Sequence, residues 1–361
     1  MIDLKLNYPT IDEEEIVLNN FVNDRKPAFK DLLSFPSYQG KEDNLKIARK
    51  WLQIETFTQS KILDIVECNS ANHSLSCLLQ TLKQDYQSII TEPFTYPAFK
   101  TIALNNGFEL FPSEFDNEGL TIKGLEKVYA KTKSKLIYLQ PTIHNPTCVI
   151  MPLERRKDIV EFAKQNKIFI IEDDAYRFLH PNPPLRFLDL IPENTFHIFS
   201  LSKPFNPFIK TSYLVSPTKF KDSIIECVRL NSSGHSSLLS DIAAYILDNH
   251  ILDDIILQKQ RLAAQLQNKI IPIIKDLSFQ TFYTSFHIWV KLPKYIKSEI
   301  LVNELLIKNV IVPSGKDFSI YNLHESAGYI RIALGGEKNI NKLESALMEI
   351  VRTINSKRNS R

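Results

Sequence analysis

A chain of 361 residues is about two to three times a typical single-domain length, which predicts two domains sharing a cleft. A hydrophobic content of 43% with 24% charged residues is that of an ordinary globular protein, and a net charge of +3 gives no case for a nucleic-acid or membrane partner. Four cysteines without a CxxC pair, histidines without ligand spacing, and no run of ~20 apolar residues or basic-apolar leader argue against zinc, disulfides, a membrane span and secretion, so a reducing cytoplasm is expected.

From about residue 43, helical and extended patterns alternate. Residues 44–57, 73–83, 96–105 and 153–166 read as helices; 62–66, 88–91, 136–139, 168–171 and 196–199 read as strands. This β/α alternation predicts an α/β fold with a mostly parallel sheet covered by helices on both faces. Residues 217–230, 239–249 and 252–274 continue as helices, the last long enough to join two domains. Beyond it, 278–292 has strand character around Phe286–Val290, 298–308 is helical, 310–313 and 329–333 are extended, and 340–354 closes as an amphipathic helix. The expected division is an N-terminal arm over 1–35 that completes the small domain, a large domain over 36–274, and a small α/β domain over 275–361.

Ligands of such sheets sit beyond the carboxyl ends of the strands. Three strand ends here lead into chemically useful residues: Asn145 after 136–139, Asp173 after 168–171, and Ser200, Ser202 and Lys203 after 196–199. A lysine fixed at a strand end can form a Schiff base with the aldehyde of pyridoxal 5'-phosphate (PLP) and then carry the substrate's α-proton. Ser200 and Ser202, two residues apart, can both turn hydroxyls to its phosphate. A buried carboxylate keeps the pyridine nitrogen protonated, and Asp173 suits that position. Three residues on, Tyr176 can donate to the phenolic oxygen, as can the Asn145 amide. Tyr96 can stack on the ring, and the turn entering a helix at Ala71 and Asn72 offers free N–H groups to the phosphate. On 329–333, Arg331 can grip an α-carboxylate with two prongs. Taken singly, each has a plain alternative: a surface lysine, a helix cap, an Asn-Pro turn or an arginine in a strand.

Together, Gln140–Thr147, Met151–Arg156, Ile170–Tyr176, Phe199–Tyr213 and Val312–Phe318 before Arg331 resemble, in order and spacing, the motifs of fold-type I PLP enzymes. Within the class I/II aminotransferases they are most similar to the branch of 2-aminoadipate and kynurenine aminotransferases and the aminotransferase-like half of GntR-type regulators. The resemblance covers nearly the whole chain. It implies a PLP-dependent aminotransferase that passes an amino group from an α-amino acid to a 2-oxo acid, as a cytoplasmic homodimer with active sites at the subunit interface. Lys203, Asp173 and Tyr176 are then catalytic. Ala71, Asn72, Ser200, Ser202 and Lys210 hold the phosphate, Tyr96 stacks, Asn145 meets both cofactor and substrate, and Arg331 anchors the carboxylate.

The departures are as informative. Where the family carries an arginine phosphate clamp seven residues after the lysine, this chain has Lys210. Expected glycines are replaced by Ser70, Cys148 and Ser212 in a chain with only 9 glycines, which predicts a narrower site. A tyrosine that often reaches the partner's phosphate is replaced by Phe35, with Tyr38 as the substitute at the substrate. Tyr8, Phe35, Tyr38, His73, His144 and Tyr321 are the remaining candidates for the pocket wall. Elimination, cyclisation or oxidation of an amino acid is the alternative outcome from the same residues. A non-catalytic PLP sensor is the third reading, disfavoured because the chain begins directly at the arm.

Overall fold

The computed structural model describes residues 1–25, 37–54, 62–321 and 324–359, so Phe35 lies outside the described residues. Its centre is a seven-stranded sheet of β2 (Leu63–Cys68), β3 (Ser88–Thr91), β4 (Glu109–Pro112), β7 (Leu136–Leu139), β8 (Phe169–Asp173), β9 (Thr195–Ser200) and β10 (Ser212–Pro217). The strand order is β2-β10-β9-β8-β7-β3-β4, and β10 runs against both neighbours while β3, β4, β7, β8 and β9 pair in parallel.

Strand alternation explains how this sheet buries both faces. Successive side chains point to opposite sides. Thus Val66, Tyr138, Ile171, Ile198 and Leu214 enter one core with helices Ala71–Leu82 and Pro97–Asn105. Ile65, Tyr213 and Val215 enter a second core with helices Glu42–Trp51 and Ser237–Asp248, while Ile137 and Ile170 meet helix Leu153–Asn166 in a third. Each fully buried side chain of this size contributes about 1.5–3 kcal/mol. The strand β7, buried at every position, is accordingly a continuous apolar run.

A second, three-stranded antiparallel sheet is made of β11 (Ser278–Gln280), β12 (His287–Lys291) and β14 (Tyr329–Ala333). It shares a core with helices Ser298–Ile307 and Ile340–Asn359 and with Leu4 of the arm. The arm is tied in by β1 (Ile2–Asp3), which pairs in parallel with β13 (Val310–Ile311), and by Ala333 N–H donating to the Leu4 carbonyl at 2.8 Å. Gly335 permits the arm to lie close, since a Cβ there would stand 2.8 Å from Pro9 N. Helix Ile251–Ile274 packs Leu252 and Ile255 into one core and Ala263, Ile270 and Ile274 into the other.

Several boundaries differ from the sequence expectation. The stretch 217–230 does not begin as a helix: Pro217 ends β10, and the helix runs Lys221–Ser232 after a short 3-10 turn. The stretch 278–292 is two strands, because residues 281–286 turn between β11 and β12. Helices Glu13–Arg25 and Ile122–Thr132, together with β4 and β10, were not expected.

Candidate active site

Asp173 is the last residue of β8 and is buried. Its Oδ2 accepts from Tyr138 Oη of β7 at 2.6 Å and from Gln140 Nε2 at 3.1 Å. Burial raises its pKa above the ordinary aspartate value, while these two donors pull it back. Sequence reasoning did not assign Tyr138 or Gln140 a role. The available signal was position: residues two apart on one strand end project to the same side.

Lys203 follows β9 in a turn whose base is closed by Leu201 N–H donating to Thr211 O at 3.1 Å. Its Nζ donates to the main-chain carbonyl of Asn7 at 2.7 Å and lies 3.5 Å from the centre of the Tyr8 ring. It makes no ion pair among the described residues. Burial, and then the Arg331 charge, push the amine down to about 7, where a large fraction is neutral and nucleophilic at physiological pH. Tyr176 presents its ring 5.7 Å from the same Nζ, and its Oη accepts from Asn7 Nδ2 at 3.1 Å. Burial raises that phenol to about 12, so it stays protonated.

The loop after β7 is fastened from beneath by the buried Arg156, which donates to the carbonyls of Met151, Pro141 and Leu185 and to Thr142 Oγ1 at 2.9–3.0 Å. Asn145 rides on this loop, before a cis bond to Pro146. Its Oδ1 accepts from Arg331 Nη1 at 3.3 Å. Arg331 Nη2 donates to the Lys5 carbonyl, and its buried Nε has no partner among the described residues.

At the other end, Ala71 and Asn72 open helix Ala71–Leu82, capped by Ser70 Oγ accepting from His73 N. Tyr96 Oη donates to Asn72 Oδ1 at 3.2 Å, and Ser200 and Ser202 hydroxyls lie 3.1 Å apart. Lys210 is exposed at this rim.

The reactive and polar groups named above border one cavity of about 430 Å³, together with Lys5, Asn7, Tyr8 and Phe318, while Tyr138 and Arg156 stand behind its wall. Of the residues named from the sequence, Lys203, Asp173, Tyr176, Ala71, Asn72, Tyr96, Asn145, Ser200, Ser202, Lys210 and Arg331 meet there, and so does Tyr8. Tyr38 is not among them in the single chain; its phenol is close enough to act on Arg229. His73 is turned to Cys77 Sγ and Asn69 N, His144 is buried against Glu92 at 3.0 Å, and Tyr321 donates to Leu110 O, so none of the three borders the cavity. The expected narrowing is confined to Ser70, the one substituted glycine position that borders it, and Ser70 is fully extended with φ −175°. Ser212 is occupied in β10 with Ser74 Oγ at 2.6 Å, and Cys148 takes a left-handed φ of 61° with its thiol donating to His287 O. Asn7, which touches both Lys203 and Tyr176, carried no signal in the sequence.

The cavity wall offers a helix N-terminus, two hydroxyls and a lysine, a buried carboxylate and an amine, and an arginine whose Nε has no partner among the described residues. These residues fit a phosphorylated pyridine aldehyde beside a carboxylate-bearing substrate.

The architecture is that of the fold-type I PLP-dependent transferases. The chain matches the kynurenine aminotransferase of Pyrococcus horikoshii with a TM-score of 0.88 at 18% identity, covering 99% of this chain and 91% of that one. It matches the alpha-aminoadipate aminotransferase LysN of Thermus thermophilus with a TM-score of 0.85 at 16% identity, over 99% and 92%. By sequence it is similar to the HTH-type transcriptional regulators YdeF of Bacillus subtilis, 24% identical over 82% of this chain and 64% of that one, and NorG of Staphylococcus aureus, 27% identical over 60% and 50%. The chain thus spans about half to two thirds of the length of these curated relatives. Residues 1–347 match the model of the family described as aminotransferase class I and II, and the chain belongs to that family.

Proposed function

We propose that this protein is a PLP-dependent aminotransferase that moves the amino group of an α-amino acid to a 2-oxo acid. The observation that carries this reading is the meeting of Lys203, Asp173 and Arg331 around one cavity. PLP, when bound, supplies an electron sink that acidifies the substrate's α-C–H bond. Lys203 takes up and returns the α-proton at Nζ, for which an amine near pKa 7 is well matched. Asp173, oriented by Tyr138 and Gln140, holds the proton on the pyridine nitrogen. Tyr176 and Asn145 donate to the phenolic oxygen, Tyr96 covers the ring, and Ala71, Asn72, Ser200, Ser202 and Lys210 hold the phosphate. Arg331 anchors the α-carboxylate, with Asn145 fixing its Nη1. A homodimer completes the site, with Tyr38 serving the substrate from the partner subunit, and the compartment is cytoplasmic; among the described residues no helix is long and apolar enough to cross a membrane.

One observation favours a second reading. The sequence relatives are HTH-type regulators that this chain matches over part of their length, which suits a PLP-binding module that senses the cofactor or an amino acid without turnover. The test is purified protein given PLP, then a panel of amino acids and 2-oxo acids, beside Lys203→Ala. Amino transfer that the variant lacks supports the enzyme. A lysine-dependent visible band with no transfer favours the sensor; ammonia release or oxygen uptake points to elimination or oxidation; no band in wild type ends the PLP reading.

A further inference from the structure

The arm residue Asn7 sits between the two groups on which the proposed reaction depends, and its environment determines which way its amide faces. His287, at the start of β12, places Nε2 3.1 Å from the carbonyl oxygen of His144. A carbonyl can only accept, so Nε2 carries the ring hydrogen. The ring is neutral, since burial and then the Arg331 charge push it down to about 3. Nδ1 is therefore a bare acceptor, and it faces Asn7 Nδ2 at 3.5 Å and Ser285 Oγ at 3.2 Å. The Ser285 hydroxyl can donate to it, and of the two ends of the Asn7 amide only the NH₂ suits this position, because the oxygen would set two acceptors against each other. The same NH₂ group directs its second hydrogen to Tyr176 Oη at 3.1 Å.

A phenol oxygen that accepts from this side keeps its own O–H hydrogen pointing elsewhere. Tyr176 borders the cavity, and no described residue is recorded as accepting that hydrogen. We propose that Asn7 is a positioning residue: its amide, set by the His287 tautomer, turns the Tyr176 hydroxyl proton toward the cavity, where it serves the phenolic oxygen of PLP. Accepting one hydrogen bond also polarises the phenol and makes it a better donor. The inference rests on the PLP reading above.

A donor to the cofactor's phenolic oxygen favours the form with more negative charge there, and so lowers the pH at which the lysine-bound cofactor loses its proton. The groups facing Tyr176 are Tyr8, Asp173, Lys203, Arg331 and His287 besides Asn7, and Asn7→Ala leaves every one of them in place. It also keeps the main-chain carbonyl that holds Lys203. The experiment is a spectrophotometric pH titration of PLP-loaded wild type, Asn7→Ala, Tyr176→Phe and the double variant, with Asn7→Ser as a milder second substitution. The expected result is an upward shift of the midpoint by a few tenths of a pH unit in Asn7→Ala and Asn7→Ser, and no additional shift when Tyr176 is already phenylalanine. An equal shift in both backgrounds, or none with Tyr176 intact, overturns the proposal. A wild type that takes up no cofactor instead overturns the reading on which it rests.

Discussion

Lys203 Nζ lies 2.7 Å from the carbonyl oxygen of Asn7, a residue 196 positions away in the chain. The lysine thus leaves the large sheet on β9 and is met by the arm, whose β1 pairs with β13. The contact is to a neutral acceptor rather than a carboxylate. That is why burial is free to depress the amine.

The first prediction concerns that amine. Its folded value of about 7 lies below the ordinary 10.5, so the unfolded chain binds more protons between those two pH values. Lys203 therefore penalises the cofactor-free fold fully below about pH 7, and the penalty fades as pH rises toward 10.5. Chemical denaturation of the cofactor-free protein is expected to give stability that rises across this window by at most about 1.4 kcal/mol per pH unit from this group. In Lys203→Met that component of the slope vanishes.

Arg331 is expected to discriminate between its two conservative replacements in an informative way. Lysine keeps the charge but not the fork that Asn145 and the Lys5 carbonyl hold in place. Arg331→Lys is predicted to lower kcat/KM for amino acids by about 10- to 150-fold, the equivalent of one charged hydrogen bond of about 1.5–3 kcal/mol. Cofactor uptake, followed by absorbance, stays near the wild-type level; a parallel loss of uptake contradicts the carboxylate-anchor role.

Arg156 tests the support of the Asn145 loop. It is fully buried, and its truncation strips donors from three carbonyls and a hydroxyl. Arg156→Ala is predicted to cost about 3–5 kcal/mol in a denaturant titration. A change below about 1 kcal/mol, the scale of a surface substitution, means the loop holds itself.

Lys210 tests the phosphate end. It borders the cavity as an exposed point charge, with geometry no better than a single prong. Lys210→Arg is predicted to tighten PLP by about 0.5–1 kcal/mol, roughly a two- to fivefold lower Kd by fluorescence titration. Lys210→Ala weakens it. Identical affinities across all three remove Lys210 from the phosphate site.

Much of this protein is determined by local sequence. Apolar runs such as Leu136–Leu139 and Ile170–Ile171, set between helical stretches, read as buried strands, and the polar residues that follow them fall at the strands' carboxyl ends, where ligands of such sheets bind. Lys203, Asp173 and Asn145 stand out in the sequence for that reason, and the structure brings them to one cavity. Tertiary structure alone decided the rest, because it joins residues whose separation in the chain carries no pattern. The strand β10 could not be read, since its apolar run makes sense only between β2 and β9. His144 and Tyr321 are polar residues of the expected kind, yet Glu92 and the Leu110 carbonyl claim them. Asn7 is the converse: nothing around it in the sequence marks it, and only the docking of the arm against Gly335 and β13 brings its amide to Tyr176 and its carbonyl to Lys203. Local chemistry chose the reactive groups; burial and long-range pairing chose their partners.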